Sequence, residues 1–178
     1  VQYAFPAFLA DNHFVKIQTG ATLYRPMLRG YVAAGLRLGA IMPIGSDLDI
    51  PENLQIPYAY RFFGGGRSTH RAFDTDRLGI PGQTIIEGSP IGGNARILMN
   101  LEYRRRVAGE IFASIFVDAG NVWASPSQVK AGDIRWGPGI GLQYRTPAGP
   151  LRAEYAWKLN PEPGEKNGQF FVSFGVPF

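Results

Sequence analysis

The sequence predicts an all-β fold, an antiparallel β-barrel whose strands cross a membrane. The 178 residues contain 23 glycines and 14 prolines among many β-branched and aromatic residues, a composition typical of strands joined by turns. Apolar and polar residues alternate over stretches of about ten residues, the length that a tilted strand needs to cross a bilayer. The polar faces are rich in Gly, Arg, Gln and Glu, which suits a hydrated lumen better than a dry core.

Seven stretches carry this alternation and are predicted to be membrane-crossing strands. They are residues 13–25, 30–42, 93–107, 110–119, 133–145, 149–159 and 168–178. Residues 1–9 are a candidate for the end of an eighth strand. In the clearest stretch, 149–159, Tyr155 and Trp157 lie on the apolar face, and aromatic residues at strand ends are typical of the girdles of outer-membrane barrels. The pattern therefore favours a barrel in the bacterial outer membrane.

The connections between these strands alternate in length. VAGE and RTPAGP are short, whereas GNVWASPSQVKAGD, NPEPGEKNG and the segment 43–92 are long. Outer-membrane barrels have short periplasmic turns and long external loops, so 43–92 is predicted to be an external loop. Its most unusual part is RFFGGGRSTHRAF, residues 61–73, which combines three successive glycines with basic and aromatic residues.

The last stretch, QFFVSFGVPF, has an apolar face and ends the sequence in phenylalanine. Such a strand resembles the signal by which bacterial outer-membrane barrels are recognised for assembly, and an ordinary amphipathic terminal strand is the alternative. The residues assigned to this terminal-strand signal are Gly168, Phe170, Val172, Phe174, Val176 and Phe178.

Several functional classes receive no support from the sequence. The net charge of +4 is modest and the basic residues are scattered, so no nucleic-acid partner is predicted. The chain has no cysteine, and its two histidines, His13 and His70, lack a third ligand at a usable spacing, so neither a metal nor a cofactor is expected. GxSxG and HExxH motifs are absent, and the glycines 64–66 are not followed by the Lys and Ser/Thr of a P-loop. We therefore do not predict an enzyme.

Four motifs occur in a fixed order and are followed by the strand that ends in phenylalanine. They are RFFGGGRSTHRAF (61–73), GGNARILMNLEY (92–103), FVDAGNVW (116–123) and TPAGPLRAEYA (146–156). From about residue 12 to the end, this order resembles the C-terminal half of the barrel in the BamA/TamA superfamily of outer-membrane assembly and translocation proteins, the bacterial surface antigen family. The resemblance implies that the chain is a barrel segment throughout, 1–178.

The length of segment 43–92 also bears on the size of the barrel. An eight-stranded barrel has a lumen that side chains just fill, so it could not accept a loop of about 50 residues. The family resemblance implies instead that the chain forms about seven or eight strands of a 16-stranded barrel. The N-terminal half of the barrel and the periplasmic repeats of the family would then lie outside this sequence.

In the family, the first motif reads close to RFFxGGxxxxRGF and forms the tip of an external loop that folds back into the lumen. The resemblance implies that Arg71 is the loop arginine and that Glu102 and Asp118 are the acids that receive it. The alternation independently places both carboxylates on lumen faces. A guanidinium between two carboxylates in a partly desolvated lumen makes charge-assisted hydrogen bonds, which would pin the loop.

Four further residues are assigned to this candidate site of the loop: Phe62, Gly65, Gly66 and Phe73. An alternative is that the two acids are ordinary lumen charges paired with Arg96, Arg104 or Arg135. The motif departs from the family at His70, where an aliphatic residue is common, and at Ala72, where glycine is usual. Because Ala72 disfavours a positive φ, we expect right-handed helical or extended backbone at this position.

The resemblance implies a protein that folds and inserts other β-barrels in the outer membrane, or exports a protein across it, without ATP. Its implied partners are outer-membrane lipids, a client β-barrel or secreted protein, and accessory lipoproteins or periplasmic repeats. Three alternatives stay open: the barrel of a patatin-like phospholipase, a two-partner secretion pore, and a small structural outer-membrane barrel of eight strands.

Overall fold

The computed structural model describes residues 2–3, 13–44 and 55–175, in which ten strands are found. Numbered along the chain, they are β1 (Gln2–Tyr3), β2 (His13–Met27), β3 (Gly30–Ile44), β4 (Ile85–Ile86), β5 (Ser89–Pro90), β6 (Ala95–Ala108), β7 (Ile111–Trp123), β8 (Arg135–Thr146), β9 (Gly149–Trp157) and β10 (Gly168–Phe174). The pair β4 and β5 forms a small ribbon. The other eight form one antiparallel sheet in which neighbours in the chain are neighbours in space.

Helices contribute little to the described part of the chain. It contains three short 3₁₀ turns, at Tyr58–Tyr60, Pro126–Gln128 and Ala131–Asp133. No helix among the described residues has the length and apolar character needed to cross a membrane.

The antiparallel fold predicted from the sequence is confirmed, with small changes at strand ends. The main difference is β7, which was expected to end at residue 119 and continues to Trp123, because Val122 and Trp123 still pair with β6. Of the candidate eighth strand, Gln2 and Tyr3 pair with β2, and the rest of 1–9 lies outside the described residues. No pairing joins β1 to β10 within the described residues, so the sheet is an open section of barrel wall.

The two faces of the sheet are the reverse of those of a water-soluble protein. On β7, Ile115 is 61% exposed and Asp118 is 0% exposed, although both belong to the same strand. The same exposed apolar face continues across the sheet, with Leu36, Leu101, Ile140, Leu151 and Phe170. An apolar face left open and a polar face that is covered are typical of a barrel wall in lipid.

The described part of the long loop, residues 55–92, covers the polar face. At its base, Phe62 exchanges backbone hydrogen bonds with Gly93 at 2.8 and 3.0 Å. The Phe62 ring lies flat on β3 at Gly39, where any Cβ would overlap it. Two clusters of buried apolar residues lie between loop and sheet. One is Phe14, Ile41, Ile56, Phe62 and Val122, and the other is Ala72, Phe73, Leu78, Leu98, Phe116 and Ala156.

Connections at the two ends of the strands differ in length, as the sequence predicts. The short ones lie at one end and are residues 28–29, 109–110 and 147–148. The long ones lie at the other end and are residues 45–94, 124–134 and 158–167. In the first turn, Leu28 and Arg29 both have positive φ, 47° and 63°, as in a type I′ hairpin turn. The Tyr103 hydroxyl donates to the Leu28 carbonyl at 2.8 Å and supports that turn.

Candidate functional site

The loop tip is a compact turn that the glycines make possible. Gly65 and Gly66 have φ of 107° and 86°, and at Gly65 a side chain would overlap the Asp74 carbonyl. The turn closes where the Gly66 amide donates to the Phe73 carbonyl at 2.8 Å. Thr69 Oγ1 accepts from the Gly65 amide at 2.9 Å and donates to the Gly65 carbonyl at 2.6 Å. The turn therefore presents residues 70–73 to the sheet in a defined conformation.

Arg71 binds Asp118 of β7 through three hydrogen bonds. Its Nε and Nη2 donate to Asp118 Oδ2 and Oδ1, each at 2.8 Å, and its backbone amide donates to Oδ2 at the same distance. Asn100 Nδ2 donates to Oδ1 at 2.9 Å and so completes the shell around the carboxylate. This is a bidentate guanidinium–carboxylate pair, the strongest geometry that these groups adopt.

Two further carboxylates accept hydrogen bonds from Nη1, the remaining nitrogen of the Arg71 guanidinium. Arg71 Nη1 donates to Glu102 Oε2 of β6 at 2.7 Å and to Glu154 Oε1 of β9 at 3.0 Å. The plane of the guanidinium also lies on the Phe116 ring, with Cζ 3.3 Å from the ring centroid. One loop residue thus contacts β6, β7 and β9, and Arg71 itself is 7% exposed.

Charge within the site is partly balanced by a second arginine. Arg104, which follows Glu102 on the same face of β6, contacts the other oxygen of that carboxylate, and its Nη1 donates to Gln143 at 2.7 Å. The pKa of Arg71 lies above its ordinary value, because the hydrogen bonds and charge of Asp118 outweigh the effect of burial, which alone would lower it. Arg71 is therefore permanently cationic, and the contact cannot be released by deprotonating it.

His70 and Ala72, the two departures from the family motif, lie directly on β8. His70 is 0% exposed and its Nε2 donates to the Arg135 carbonyl at 3.1 Å. At Gly137 an added Cβ would lie 2.6 Å from His70 Cε1 and 2.7 Å from Ala72 Cβ, so this glycine allows the close approach. Ala72 is not among the described residues with positive φ, in line with the backbone expected for alanine. Burial lowers the pKa of His70 and keeps the ring neutral.

The structure brings together Arg71, Glu102 and Asp118, with Phe73 beside them in the second apolar cluster. Of the three arginines considered as alternative partners, Arg104 does contact Glu102, in addition to Arg71. Phe62 lies elsewhere, at the base of the loop, between the cations of Lys16 and Arg96 at 4.7 and 4.9 Å from its ring.

Three contact residues were missed by the sequence reasoning: Asn100, Phe116 and Glu154. Each lies on a polar face that the alternation had identified, so a search of those faces for groups able to bind a guanidinium would have included them.

The terminal-strand residues form the edge strand β10. Phe170, Val172 and Phe174 project from the exposed apolar face, and Gly168 pairs with Trp157 at the start of the strand. Val176 and Phe178 lie outside the described residues. No group of three or more metal-binding side chains occurs in the part of the chain that the structure describes.

A section of barrel wall with one apolar face, and an inner loop held by a buried arginine, defines a class: outer-membrane β-barrels with a loop folded into the lumen. The chain belongs to the Omp85 superfamily, because the model of the Omp85 superfamily domain matches residues 1–178. The protein is therefore an outer-membrane β-barrel protein.

Relatives and solved structures agree with this assignment. The chain is 24% identical to the outer membrane protein assembly factor BamA of Neisseria meningitidis serogroup B, covering 70% of this chain and 19% of that protein. It is 26% identical to BamA of Nitratidesulfovibrio vulgaris, covering 94% and 21%. The crystal structure of BamA from Haemophilus ducreyi lacking POTRA domains 1–3 matches with a TM-score of 0.71 and 25% identity, covering 93% of this chain and 35% of that one. The chain thus spans about a fifth of the length of the curated relatives.

Proposed function

We propose that the chain is the C-terminal part of the barrel of an outer-membrane assembly factor that folds and inserts other β-barrel proteins. The observation that carries the proposal is the loop latch, which we define as Arg71 with Asp118, Glu102 and Glu154. The relatives described above are named as outer membrane protein assembly factors.

The edge strand β10 is the part of the wall to which a strand of a client protein would add. Among the described residues it pairs only with β9, so its other side carries backbone groups without a strand partner. In lipid those groups must be paired, either by closing the barrel or by a strand of another protein. A client strand added to β10 would gain backbone hydrogen bonds by β-augmentation while its own barrel is still incomplete.

The loop latch would keep the wall in shape while this edge opens. It joins the loop to β6, β7 and β9 by side-chain contacts, which do not depend on closure of the barrel at β10. The exposed apolar face would contact outer-membrane lipids, and accessory lipoproteins or periplasmic repeats would act on the short-turn end. The clients are unfolded or partly folded β-barrel proteins.

Translocation of a protein across the outer membrane is the second candidate. It is favoured by a cavity of about 630 Å³ beside the loop, lined by charged residues that include Arg37, Arg67 and Arg152. A charged cavity of this size beside the loop would suit a polypeptide in transit. Depletion of the protein separates the two functions: loss of many folded barrels indicates assembly, whereas loss of one secreted protein indicates translocation.

The test of the loop latch is charge reversal in the full-length protein, supplied as the only copy in the cell. Arg71→Glu should slow client assembly, measured by heat-modifiable gel migration of newly made barrels, because four carboxylates would then meet on one side of the lumen. Adding Asp118→Arg should restore part of the rate. The matched control is Arg106→Glu, at an exposed ion pair of β6. Normal assembly by Arg71→Glu would refute the role of the loop latch.

A further inference from the structure

A second group of charged residues lies at the loop tip, away from the loop latch, and surrounds Phe73. The Phe73 ring is buried, and two cations lie over it: Lys158 Nζ is 4.3 Å and Arg135 Cζ is 5.0 Å from the ring centroid. The edge of the His70 ring packs against the same phenyl group at a centroid distance of 4.9 Å. Cations over an aromatic face are attracted by its quadrupole, more strongly when water is excluded.

Both cations are held by one carboxylate of the connection between β9 and β10, residues 158–167. Glu165 Oε2 lies 2.6 Å from Arg135 Nη2 and 3.3 Å from Lys158 Nζ, and it also accepts the Glu162 amide at 3.0 Å. Arg135 Nη2 donates in addition to the Asn160 carbonyl at 2.9 Å. Phe73, Arg135, Lys158 and Glu165 therefore form one continuous group, which we call the Phe73 cluster.

The Phe73 cluster joins the loop tip to this connection. Around it lies a cavity of about 640 Å³, lined on one side by Asp74 and Arg77 of the loop and on the other by Lys166 and Gln169. Open space separates the neighbouring residues, so the Phe73 cluster would carry a displacement of the loop to the connection.

The connection leads directly into the edge strand. Lys158 follows the last residue of β9, and its amide donates to the Asn167 carbonyl at 2.7 Å, immediately before β10 begins at Gly168. Within the described residues, β9 is the only strand partner of β10. The order of β10 therefore depends on the β9–β10 hairpin, whereas an interior strand is held by a partner on each side.

We propose that the Phe73 cluster couples the lumen loop to the edge strand, so that loop docking stabilises the start of β10 and loop release loosens it. Phe73 would then be a positioning residue for the edge, acting through the connection before β10. Coupling of this kind is reciprocal: weakening the connection must loosen the loop tip by the same factor. The inference concerns a conformational linkage and holds whether the edge strand receives a client or only closes the barrel.

The test is hydrogen–deuterium exchange on the full-length protein in lipid nanodiscs, without clients. Phe73→Leu keeps an apolar side chain but removes the aromatic face. We expect peptides covering 168–174 to exchange about fivefold faster, the factor that corresponds to about 1 kcal/mol. Glu165→Gln should produce a similar increase there and, by reciprocity, also in peptides covering 67–75.

Two controls keep the result interpretable. Glu162→Gln neutralises a carboxylate in the same connection that is 3.7 Å from Arg135 and 47% exposed, and it should leave exchange in both regions nearly unchanged. Lys158→Met removes one cation while retaining an apolar stem, and it should have the same effect as Glu165→Gln. With both variants available, the test can still be made if one of them fails to fold. Unchanged exchange at 168–174 in folded Phe73→Leu and Glu165→Gln, or an equal increase in Glu162→Gln, would overturn the coupling. Client assembly is measured separately, so failure of the coupling leaves the proposed function standing.

Discussion

Two arginine–carboxylate pairs of the barrel wall have the same contact distance and very different surroundings. Arg71 Nε lies 2.8 Å from Asp118 at the loop latch, and Arg106 Nη2 lies 2.8 Å from Glu110 at the turn between β6 and β7. The side chains of the first pair are 8% and 0% exposed, and those of the second are 58% and 47% exposed. When one partner of the exposed pair is removed, water solvates the remaining charge. When one partner of the buried pair is removed, the remaining charge is left without solvation.

Contact distance therefore does not measure the contribution of an ion pair to stability. At the loop latch two of the carboxylates have further partners: Asn100 and the loop backbone donate to Asp118, and Arg104 contacts Glu102. At the exposed turn Arg106 contacts the nearby turn residues Gly109 and Glu110. The following predictions test this difference, beginning with the largest expected effect.

Replacing Arg71 by methionine should destabilise the barrel most. The variant leaves Asp118 and Glu154 buried without their cation, a change that typically costs about 3–5 kcal/mol. Urea unfolding of the full-length protein in lipid vesicles, followed by tryptophan fluorescence, would measure the loss. Arg106→Met is the matched control, and equal losses in the two variants would show that burial is not the deciding factor.

Gly137→Ala should have the next largest effect, because its methyl group would occupy the space in which the loop approaches the sheet. The added methyl group would lie 2.6 Å from His70 Cε1, so the loop must move away from β8. Overpacking of this kind costs about 1–3 kcal/mol. Gly132→Ala, where the new methyl group meets no atom within 4 Å, is the control for loss of glycine. Wild-type stability of Gly137→Ala would mean that loop and strand are not tightly docked.

The buried imidazole should make docking of the loop tip weakly dependent on pH. Burial lowers the pKa of His70, an effect opposed by the hydrogen bond to the Arg135 carbonyl and the charge of Asp118, and reinforced by the charges of Arg135 and Arg71. Protonation is then easier in the undocked or unfolded state, so stability is full above about pH 6.5 and falls as the pH drops below that value. Hydrogen exchange of peptides covering 67–75 at pH 7.5 and 5.5, corrected for intrinsic rates, measures this loss. His70→Phe should remove it, and the same pH response in that variant would assign the effect to another group.

Glu110→Gln should have the smallest effect. An exposed ion pair between residues four apart contributes about 0.5 kcal/mol or less, and salt screens it. The unfolding midpoint should therefore stay within error of the wild type at 0.15 M salt. A larger loss would mean that the turn between β6 and β7 contributes to the stability of the wall in a way its exposure does not indicate.

Reasoning from the sequence predicted correctly the features that depend on the alternation of side chains along a strand. Alternation placed Glu102 and Asp118 on the covered polar face and Ile115 on the open apolar face, because successive side chains of a strand point to opposite sides. The motif pointed to Arg71 as the residue that binds the acids. The same reasoning stopped at residue 119 in β7, because Gly120 and Asn121 resemble a loop until their pairing with β6 is known.

Reasoning from the sequence did not identify all the carboxylates that bind Arg71, because these partners depend on distances across the sheet. Glu154 is 83 residues from Arg71 and lies two strands away from Asp118, and only the fold of the loop and the curvature of the wall bring it within 3.0 Å. Phe62 was assigned to the loop tip with Phe73, yet it packs at the base, because Gly39 leaves room for its ring on β3.

Composition and alternation predict the class of fold and the face that each strand turns to lipid or lumen, because both depend on patterns a few residues long, and the family resemblance points to Arg71 as the loop arginine. Tertiary structure decided which carboxylates meet Arg71, where each aromatic ring of the loop packs, and how Phe73 is joined to the connection before β10. The physical reason is that a buried charge is satisfied by whatever groups lie within about 3 Å of it, and such neighbours are set by strand register and loop docking rather than by position in the chain.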